Sequence, residues 1–246
     1  MTSLFHTLNI SKVDMLNRLL DLDVVSNNLA NVNTVGYKSN RSNFQELLAA
    51  NGMKDGIQFA STQALMHQGS FQMTGSSLDW AIEGEGFFAV ELPDGRTAYT
   101  RDGHFQLDAE NNLVNGSGYP LIWQGTLPAG TQNVSVGPNG QVSALTDAGW
   151  QEVGTVQLSR FANPTALSSF GQNVFLATDV SGAAQANVPG QNGYGLIRAQ
   201  ALEQSNVDMA QEMTHLMTLQ RSFQISTRLF QQTDSMINLA INMRKY

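Results

Sequence analysis

The C-terminal segment decides the fold of this chain, and residues 203–243 read EQSNVDMAQEMTHLMTLQRSFQISTRLFQQTDSMINLAINM. An apolar side chain recurs there every seventh residue, and a neighbouring row adds partial support. Seven residues are almost two α-helical turns, so these side chains form one stripe along a helix. The segment therefore predicts a long amphipathic helix. The stripe contains Met209, Leu216, Phe223, Phe230 and Ile237, and the neighbouring row contains Met213 and Ile241.

The N-terminal 30 residues predict a second long helix. Their apolar residues recur at mostly helical spacing, and neither Gly nor Pro interrupts them. The sequence NVNTVG at 31–36 then accumulates turn formers, and Gly36 can take the left-handed conformation that ends a helix. At Gly36 we expect Asn to be tolerated better than a β-branched residue. The apolar positions are Leu4, Leu8, Met15, Leu19, Leu22, Val25 and Leu29.

Between these helices the pattern becomes that of short strands. From Gln58 onward, β-rich runs alternate with turn residues such as Pro93–Gly95, Asp102–Gly103 and Gly137–Gly140. Frequent turns without intervening helical patterns favour an antiparallel sheet over a βαβ array. The predicted fold class is α+β, with a mainly antiparallel β domain in the middle, flanked by N- and C-terminal long helices that pair as a coiled coil. The predicted domains are 1–36 with 203–246 (helical assembly domain), 37–75 (connecting segment) and 76–202 (β-rich domain).

Finer features were predicted from local composition. Phe44–Ala49 reads as a short helical piece, and residues 162–196 read as loops that carry a few core side chains. Ser205 or Asn206 is expected to cap the C-terminal helix, because short polar side chains accept from the free amides of a first turn. The core side chains predicted within the loops are Phe170, Val174, Phe175 and Leu176.

Composition narrows the class of protein. The net charge is −7, and no basic block of five or more residues occurs, so we expect no nucleic-acid partner. The chain has no cysteine, which excludes disulfides, thiolate metal sites and a cysteine nucleophile. Charges interrupt the N-terminal apolar pattern, and no run of about 18 apolar residues exists. We therefore expect neither a cleaved signal peptide nor a membrane span.

Residue types that are common in active sites occur in this chain, but not in the groupings that catalysis or metal binding needs. None of the histidines pairs with another at metal-ligand spacing, and Gly84-Glu-Gly86 lacks the third glycine of a dinucleotide motif. Asp102, beside Arg101 and Gly103, reads as a turn residue that bonds its own backbone. We expect no enzyme, with no catalytic residue, no cofactor and no metal. The histidines are His6, His67, His104 and His215.

Three segments resemble the bacterial flagellar rod and hook proteins. NNLANVNTVGYK at 27–38 is similar to the N-terminal signature of that family, and LDWAIEGEGFFAV at 78–90 is similar to its central β module. EQSNVD at 203–208, followed by QRSF at 220–223 and TDSM at 233–236, resembles its C-terminal helix. The three occur in the order of the family and reach from end to end of the chain.

The resemblance implies a structural axial subunit of the bacterial flagellar basal-body rod. It implies a hollow helical tube that transmits torque and lines the export channel, with the terminal helices as inner layer and the β domain outside. The implied partners are further copies in a helical rod, neighbouring rod proteins and the hook protein, and the flagellar type III export apparatus. The length suits the proximal and the distal rod proteins. Phe44–Leu48 is similar to the distal form, whereas the stretch between Leu48 and Gly69 is shorter than in that form.

An assembly interface is predicted on the helical stripes and the Asn-rich turn. The Asn side chains can bond exposed backbone near the helix end and between subunits without adding charge. A second reading is a soluble β-domain binding module whose helices form a small closed oligomer, because only an interface that does not close gives a tube. The predicted interface residues are Leu19, Leu22, Asn27, Asn28, Leu29, Asn31, Asn33, Gly36, Met209, Met213, Leu216, Gln220, Phe223, Phe230, Ile237 and Ile241.

Overall fold

The computed structural model describes residues 2–48, 54–147 and 149–243. Its architecture is α+β, with a mainly antiparallel β middle between helix α1, Thr2–Ala30, and helix α2, Met209–Met243. The predicted class and both long helices are confirmed. The chain forms two compact units. The helical unit contains α1, α2 and residues 40–65, and the β unit contains residues 32–39 and 66–206.

Helix α2 begins at a different cap from the one predicted. The Oδ1 atom of Asp208 accepts hydrogen bonds from the amides of Ala210, at 2.9 Å, and Gln211, at 3.1 Å. Asp208 therefore satisfies the free donors of the first turn. The expectation for Ser205 or Asn206 is wrong, because the Asn206 side chain is bonded to the backbone of Ser39 instead.

In the helical unit, strand β1, Asn40–Leu48, pairs antiparallel with strand β2, Lys54–Ala64. The short helix predicted from Phe44 is therefore wrong; Ala49 lies outside the described residues. The sequence Gln-Glu-Leu-Leu has good helix propensity, but pairing with β2 overrides it. Phe44 meets Phe59 edge to face across the pair, with ring centroids 6.1 Å apart.

The β unit is built from antiparallel pairs. Two four-stranded sheets have the orders β10-β11-β12-β9 and β14-β15-β6-β5, and the remaining strands form the pairs β13–β16, β17–β4, β18–β3 and β7–β8. A short 3₁₀ helix spans Pro164–Ala166. The strands are β3 Phe71–Met73, β4 Trp80–Glu83, β5 Phe88–Glu91, β6 Thr97–Thr100, β7 Phe105–Leu107, β8 Leu113–Asn115, β9 Gln124–Gly125, β10 Asn133–Val136, β11 Gln141–Thr146, β12 Gly149–Thr155, β13 Leu158–Arg160, β14 Ser168–Gly171, β15 Val174–Leu176, β16 Gln185–Asn187, β17 Leu196–Ala199 and β18 Ala201–Glu203.

Two of the three predicted hairpin turns are confirmed. Pro93–Gly95 joins β5 to β6, and Gly137–Gly140 joins β10 to β11. Asp102–Gly103 is no hairpin turn, because β6 pairs with β5 and β15 whereas β7 pairs with β8. The Gly103 carbonyl accepts from the Trp80 amide at 2.9 Å, so the chain changes sheets there.

The segment predicted as loops, residues 162–196, contains strands β14 to β16. Val174 and Phe175 are buried there, as predicted, because β15 is an inner strand of its sheet. Leu176 is half-buried. Phe170 is 46% exposed, so its prediction as a core residue is wrong. It lies on the edge strand β14, with the Arg96 guanidinium 5.5 Å from its ring centroid.

One apolar cluster forms the centre of the β unit. The Trp80 and Phe88 rings both pack against Phe105, with centroids 5.2 Å and 5.3 Å away. Burial of each such side chain contributes about 1.5–3 kcal/mol, so this cluster dominates the stability of the unit. Its buried members are Trp80, Ile82, Phe88, Phe105, Leu113, Leu121, Val134, Val136, Val142, Val156, Leu158 and Ile197.

Candidate assembly surface

Helices α1 and α2 pack along each other inside the helical unit. Asn28, near the end of α1, donates from Nδ2 to Glu212 Oε1 at 3.0 Å, near the start of α2. Asp14, earlier in α1, accepts from Ser226 Oγ at 2.6 Å. A later position in α1 thus meets an earlier one in α2, so the helices run antiparallel. Each chain therefore already supplies a partner for one face of α2.

That face, the intrachain seam, consists of two rows of α2 side chains. The predicted row of Leu216, Phe223, Phe230 and Ile237 is half-buried. It alternates at spacings of three and four residues with a more buried row, Leu219, Ser226 and Thr233. Sequence reasoning missed this second row because two of its members are polar. The seam spacing is that of paired helices in coiled coils.

Other predicted interface residues of α2 are more exposed. Met209 and Met213 are 48% and 44% exposed, and Gln220 is exposed as well. The side chain of Ile241 lies outside the described part of the chain. On α1, Leu22 and Leu29 are half-buried. The predicted set therefore contains both residues packed within the chain and residues open to a neighbour.

A further apolar stripe on α2, the outer face, is exposed. Its members recur at spacings of four, seven and three residues, which keeps them on one side of a helix. Exposed leucines occur on α1 as well, including the predicted Leu19 at 47%. Sequence reasoning missed the α2 members because it followed only the heptad stripe and its neighbouring row. The outer face comprises Ile225, Leu229, Met236 and Leu239 on α2, with Leu16, Leu19 and Leu20 on α1.

The Asn-rich end of α1 is tied down within the chain. Asn28 is buried, and besides its bond to Glu212 it exchanges two 2.8 Å hydrogen bonds with the Asn40 backbone, accepting from N and donating to O. Asn31 donates from Nδ2 to Asn27 O at 2.9 Å. Asn33 is exposed. The bonding of helix-end backbone proposed for these side chains thus occurs at Asn28 and Asn31.

Gly36 lies in the β unit with φ +66°, so the predicted left-handed conformation is confirmed. Its amide donates to Glu203 O at 2.8 Å. A Cβ at this position would lie 2.5 Å from the Asp102 nitrogen and 2.6 Å from the Arg101 carbonyl carbon. Only a residue without a side chain fits so close to another backbone.

A buried ion cluster lies next to this glycine, and sequence reasoning did not find it. Lys38 Nζ is 2.6 Å from Glu203 Oε1, with both side chains fully buried. Arg101 Nη1 is 3.3 Å from Glu203 Oε2, and its Nη2 donates to Gly84 O at 2.8 Å. The Arg101 guanidinium also lies 5.2 Å from the Phe87 ring centroid. A signal existed in principle, since Lys38 and Glu203 both occur in the quoted family segments.

Burial sets the protonation behaviour of this cluster. Desolvation lowers the pKa of Lys38, although the nearby carboxylate of Glu203 acts in the opposite direction. Desolvation lowers the pKa of Arg101 for the same reason. Two cations share one carboxylate, so removal of Glu203 would leave Lys38 without its counter-charge and Arg101 with only Glu85. The free-energy cost of losing a buried partner is several times that of losing a surface one.

The residues once considered for catalysis have structural partners. His104 Nδ1 is 2.7 Å from Asp79 Oδ1, and the His104 amide donates to Asp102 Oδ1 at 3.0 Å. Burial raises the pKa of Asp102. Across the described ranges, no three His, Asp or Glu side chains are placed to hold a metal ion. Neither helix, over the residues described, is long and apolar enough to cross a bilayer.

Family models match three parts of the chain. They are the flagella basal body rod protein model over residues 16–38, the flagellar hook protein FlgE/F/G D1 domain over 81–144, and the flagellar basal body rod FlgEFG protein C-terminal model over 198–243. FlgG, the flagellar basal-body rod protein of Borreliella burgdorferi, is 35% identical over 247 residues, covering 92% of this chain and 93% of the relative. The chain belongs to the FlgG family of flagellar basal-body rod proteins.

Other FlgG proteins match the chain at similar identity and coverage. That of Buchnera aphidicola subsp. Schizaphis graminum is 37% identical over 248 residues, covering 93% of this chain and 95% of the relative. That of Bacillus subtilis is 36% identical over 247 residues, covering 91% and 93%. The matched regions coincide with the helical ends and the β module that carried the resemblance. The FlgG type is also the one that Phe44–Leu48 resembles.

Proposed function

We propose that this chain, a structural rod subunit of the flagellar basal body, assembles with further copies into a hollow helical tube through the outer face of its helices. One observation carries the proposal. The seam between α1 and α2 is filled within one chain, yet apolar side chains such as Leu229 and Leu239, 51% and 62% exposed, remain uncovered beside it. Exposed apolar side chains aligned along one side of a helix mark a candidate interaction site.

The outer face offers two unlike patches for assembly. The α2 stripe of one copy can meet the exposed leucines of α1 in the next copy without a reciprocal contact. When unlike patches of neighbouring copies meet, the contact is heterologous and generates a ring or a helix. A helical tube is the member of this class that fits a rod. Closed rings or dimers are the competing outcome of the experiment below.

The tube would transmit torque and line an export channel. Charged residues are only 13% of the chain, so helices lining a lumen would present few fixed charges to a passing polypeptide. The same proposal places the chain against neighbouring rod proteins and the hook protein at the ends of its segment. It also makes the chain a substrate of the flagellar type III export apparatus.

The variant Leu229→Asp tests the outer face. The side chain is half exposed, so the stability of the purified monomer should change by no more than about 0.5 kcal/mol. Assembly should fail, because each contact would bury a carboxylate without a partner, at a cost of several kcal/mol. Gln231→Asp, at an exposed polar position of the same helix, is the matched control and should assemble.

Electron microscopy of basal bodies and a swimming assay supply the measurements. Rods in the control strain and no rods in the Leu229→Asp strain are expected. Normal rods in both strains would remove the outer face from the interface. If purified wild-type protein formed only closed rings or dimers at high concentration, the second reading of the sequence would replace the tube.

A further inference from the structure

The chain crosses between its two units four times, within three short passages, and the β-unit ends of these passages converge. The first passage, residues 31–40, both enters and leaves the β unit, and the others are residues 65–66 and 206–207. Lys38 Nζ donates to His67 O at 2.9 Å, which joins the first passage to the second. Asn206 Nδ2 donates to the same oxygen at 3.0 Å, and the Ser39 amide donates to Asn206 Oδ1 at 2.7 Å. The third passage is thus joined to both others.

We infer that Lys38, Glu203 and Asn206 form a junction clamp, which holds together the three segments through which the chain enters and leaves the β unit. Force that enters along any one segment is then shared among all three. These three are positioning residues, because they act through the backbone segments they hold. The inference rests on the proposal that the assembled chain transmits torque.

Glu203 is the centre of the clamp. Its Oε1 accepts from Lys38 Nζ and from the Gly69 amide at 2.9 Å, and its backbone carbonyl accepts from the Gly36 amide at 2.8 Å. Its Oε2 faces Arg101, which follows strand β6. One buried residue therefore bonds the first passage, the chain beyond the second, and the β sheet. Glu203 itself ends strand β18, which leads to the third passage.

The polar chemistry of the clamp is poorly explained by stability alone. Well-packed apolar side chains of similar volume often stabilise a core as much as a buried ion cluster does, or more. Apolar contact, however, has no direction, whereas each hydrogen bond here joins one named backbone atom to another. The cluster places two cations on one carboxylate, and Arg101 Nε has no acceptor among the described residues. The directed hydrogen bonds of the clamp hold the three segments in fixed positions.

Lys38→Met is the informative variant. Methionine retains most of the apolar stem but donates no hydrogen bond, and it leaves Glu203 with Arg101 as one balanced pair. Asn206→Ala is the second variant, because it removes the acceptor of the Ser39 amide. Arg96→Met is the matched control, since it removes an exposed ion pair with Asp94 on the same unit.

Amide hydrogen exchange on the purified full chain is the first measurement. In Asn206→Ala the Ser39 amide loses its acceptor, and in Lys38→Met the Gly69 amide keeps Glu203 Oε1 but loses the lysine that holds that oxygen in place. Both amides should therefore exchange on the order of tenfold faster. Core amides such as that of Ala144 should keep their wild-type rates. Equal acceleration at all sites would mean that the cluster provides only global stability. No acceleration at the junction would overturn the clamp as well.

Swimming at raised viscosity is the second measurement, with rods counted by electron microscopy. Cells with Lys38→Met should assemble rods in wild-type numbers, swim in dilute medium and lose speed under viscous load more steeply than Arg96→Met cells. Loss of rods in Lys38→Met cells, or unchanged speed under load despite faster exchange, would overturn the inference. The exchange measurement does not depend on assembly. Failure of the proposed tube would therefore be recognised separately, by the Leu229→Asp strain.

Discussion

Among the single residues of the predicted interface, Gly36 has little freedom to change. Its positive φ could be predicted from its place after a run of turn formers. The approach of the Arg101–Asp102 backbone could not, because that segment lies far away in sequence. The expected advantage of Asn over Val therefore disappears, since both carry the Cβ that collides. A local conformational rule was sufficient for the φ angle and insufficient for the contact.

We predict that Gly36→Ala and Gly36→Asn both destabilise the β unit by roughly 2–4 kcal/mol, through left-handed strain and the collision of Cβ with backbone. Gly118→Ala is the control. Gly118 has φ +82° and no atom within 4 Å of a built Cβ, so it should lose only about 1 kcal/mol. Urea unfolding of the three variants provides the comparison. Equal losses at both positions would show that the φ angle alone sets the effect.

At the scale of elements, helix α2 has two apolar faces with different surroundings. The seam faces α1 of the same chain, and the outer face is open. Periodicity predicted α2 and the half-buried row of the seam. It did not predict the row of Ser226 and Thr233, because small polar residues enter a seam only when a partner atom, such as Asp14 Oδ2, is present. Strand β1 was missed for a related reason, since its partner β2 decides its conformation.

We predict that Phe223→Asp loosens the helical unit itself. The side chain lies in the half-buried row of the seam, so a carboxylate there should lower the stability of helix pairing by several kcal/mol. Far-ultraviolet circular dichroism should show lost helix, and tryptophan fluorescence should report an unchanged β unit. Leu229→Asp, by contrast, should retain its helix content. Retention of full helix content in Phe223→Asp would contradict the assignment of this row to the seam.

At the scale of the whole molecule, the units are not continuous in sequence. Residues 32–39 belong to the β unit although they directly follow α1, and residues 40–65 return to the helical unit. Composition changes predicted a helix–sheet–helix order, and that order is confirmed. They could not reveal this interleaving, because a buried Lys38 reads in sequence as an ordinary surface lysine.

We predict that residues 32–206 fold to a more stable β unit than residues 40–206. The shorter fragment lacks Lys38 and the Gly36 amide, so Glu203 loses two of its partners. The difference in free energy of unfolding should be on the order of 2–4 kcal/mol. Thermal melting followed by near-ultraviolet circular dichroism measures it. Coincident melting curves would mean that residues 32–39 are dispensable to the unit.

The pairing of Lys38 with Glu203 also bears on when the β unit can form. The two residues are 165 positions apart, so their contact closes a loop that spans most of the chain. Contacts of such high sequence separation form late and slowly, because the entropy of loop closure is lost before the contact contributes. A chain still being synthesised lacks Glu203 and cannot complete this contact. The β unit of a nascent subunit is therefore incomplete until residue 203 has been made, and the export proposed above would use that interval.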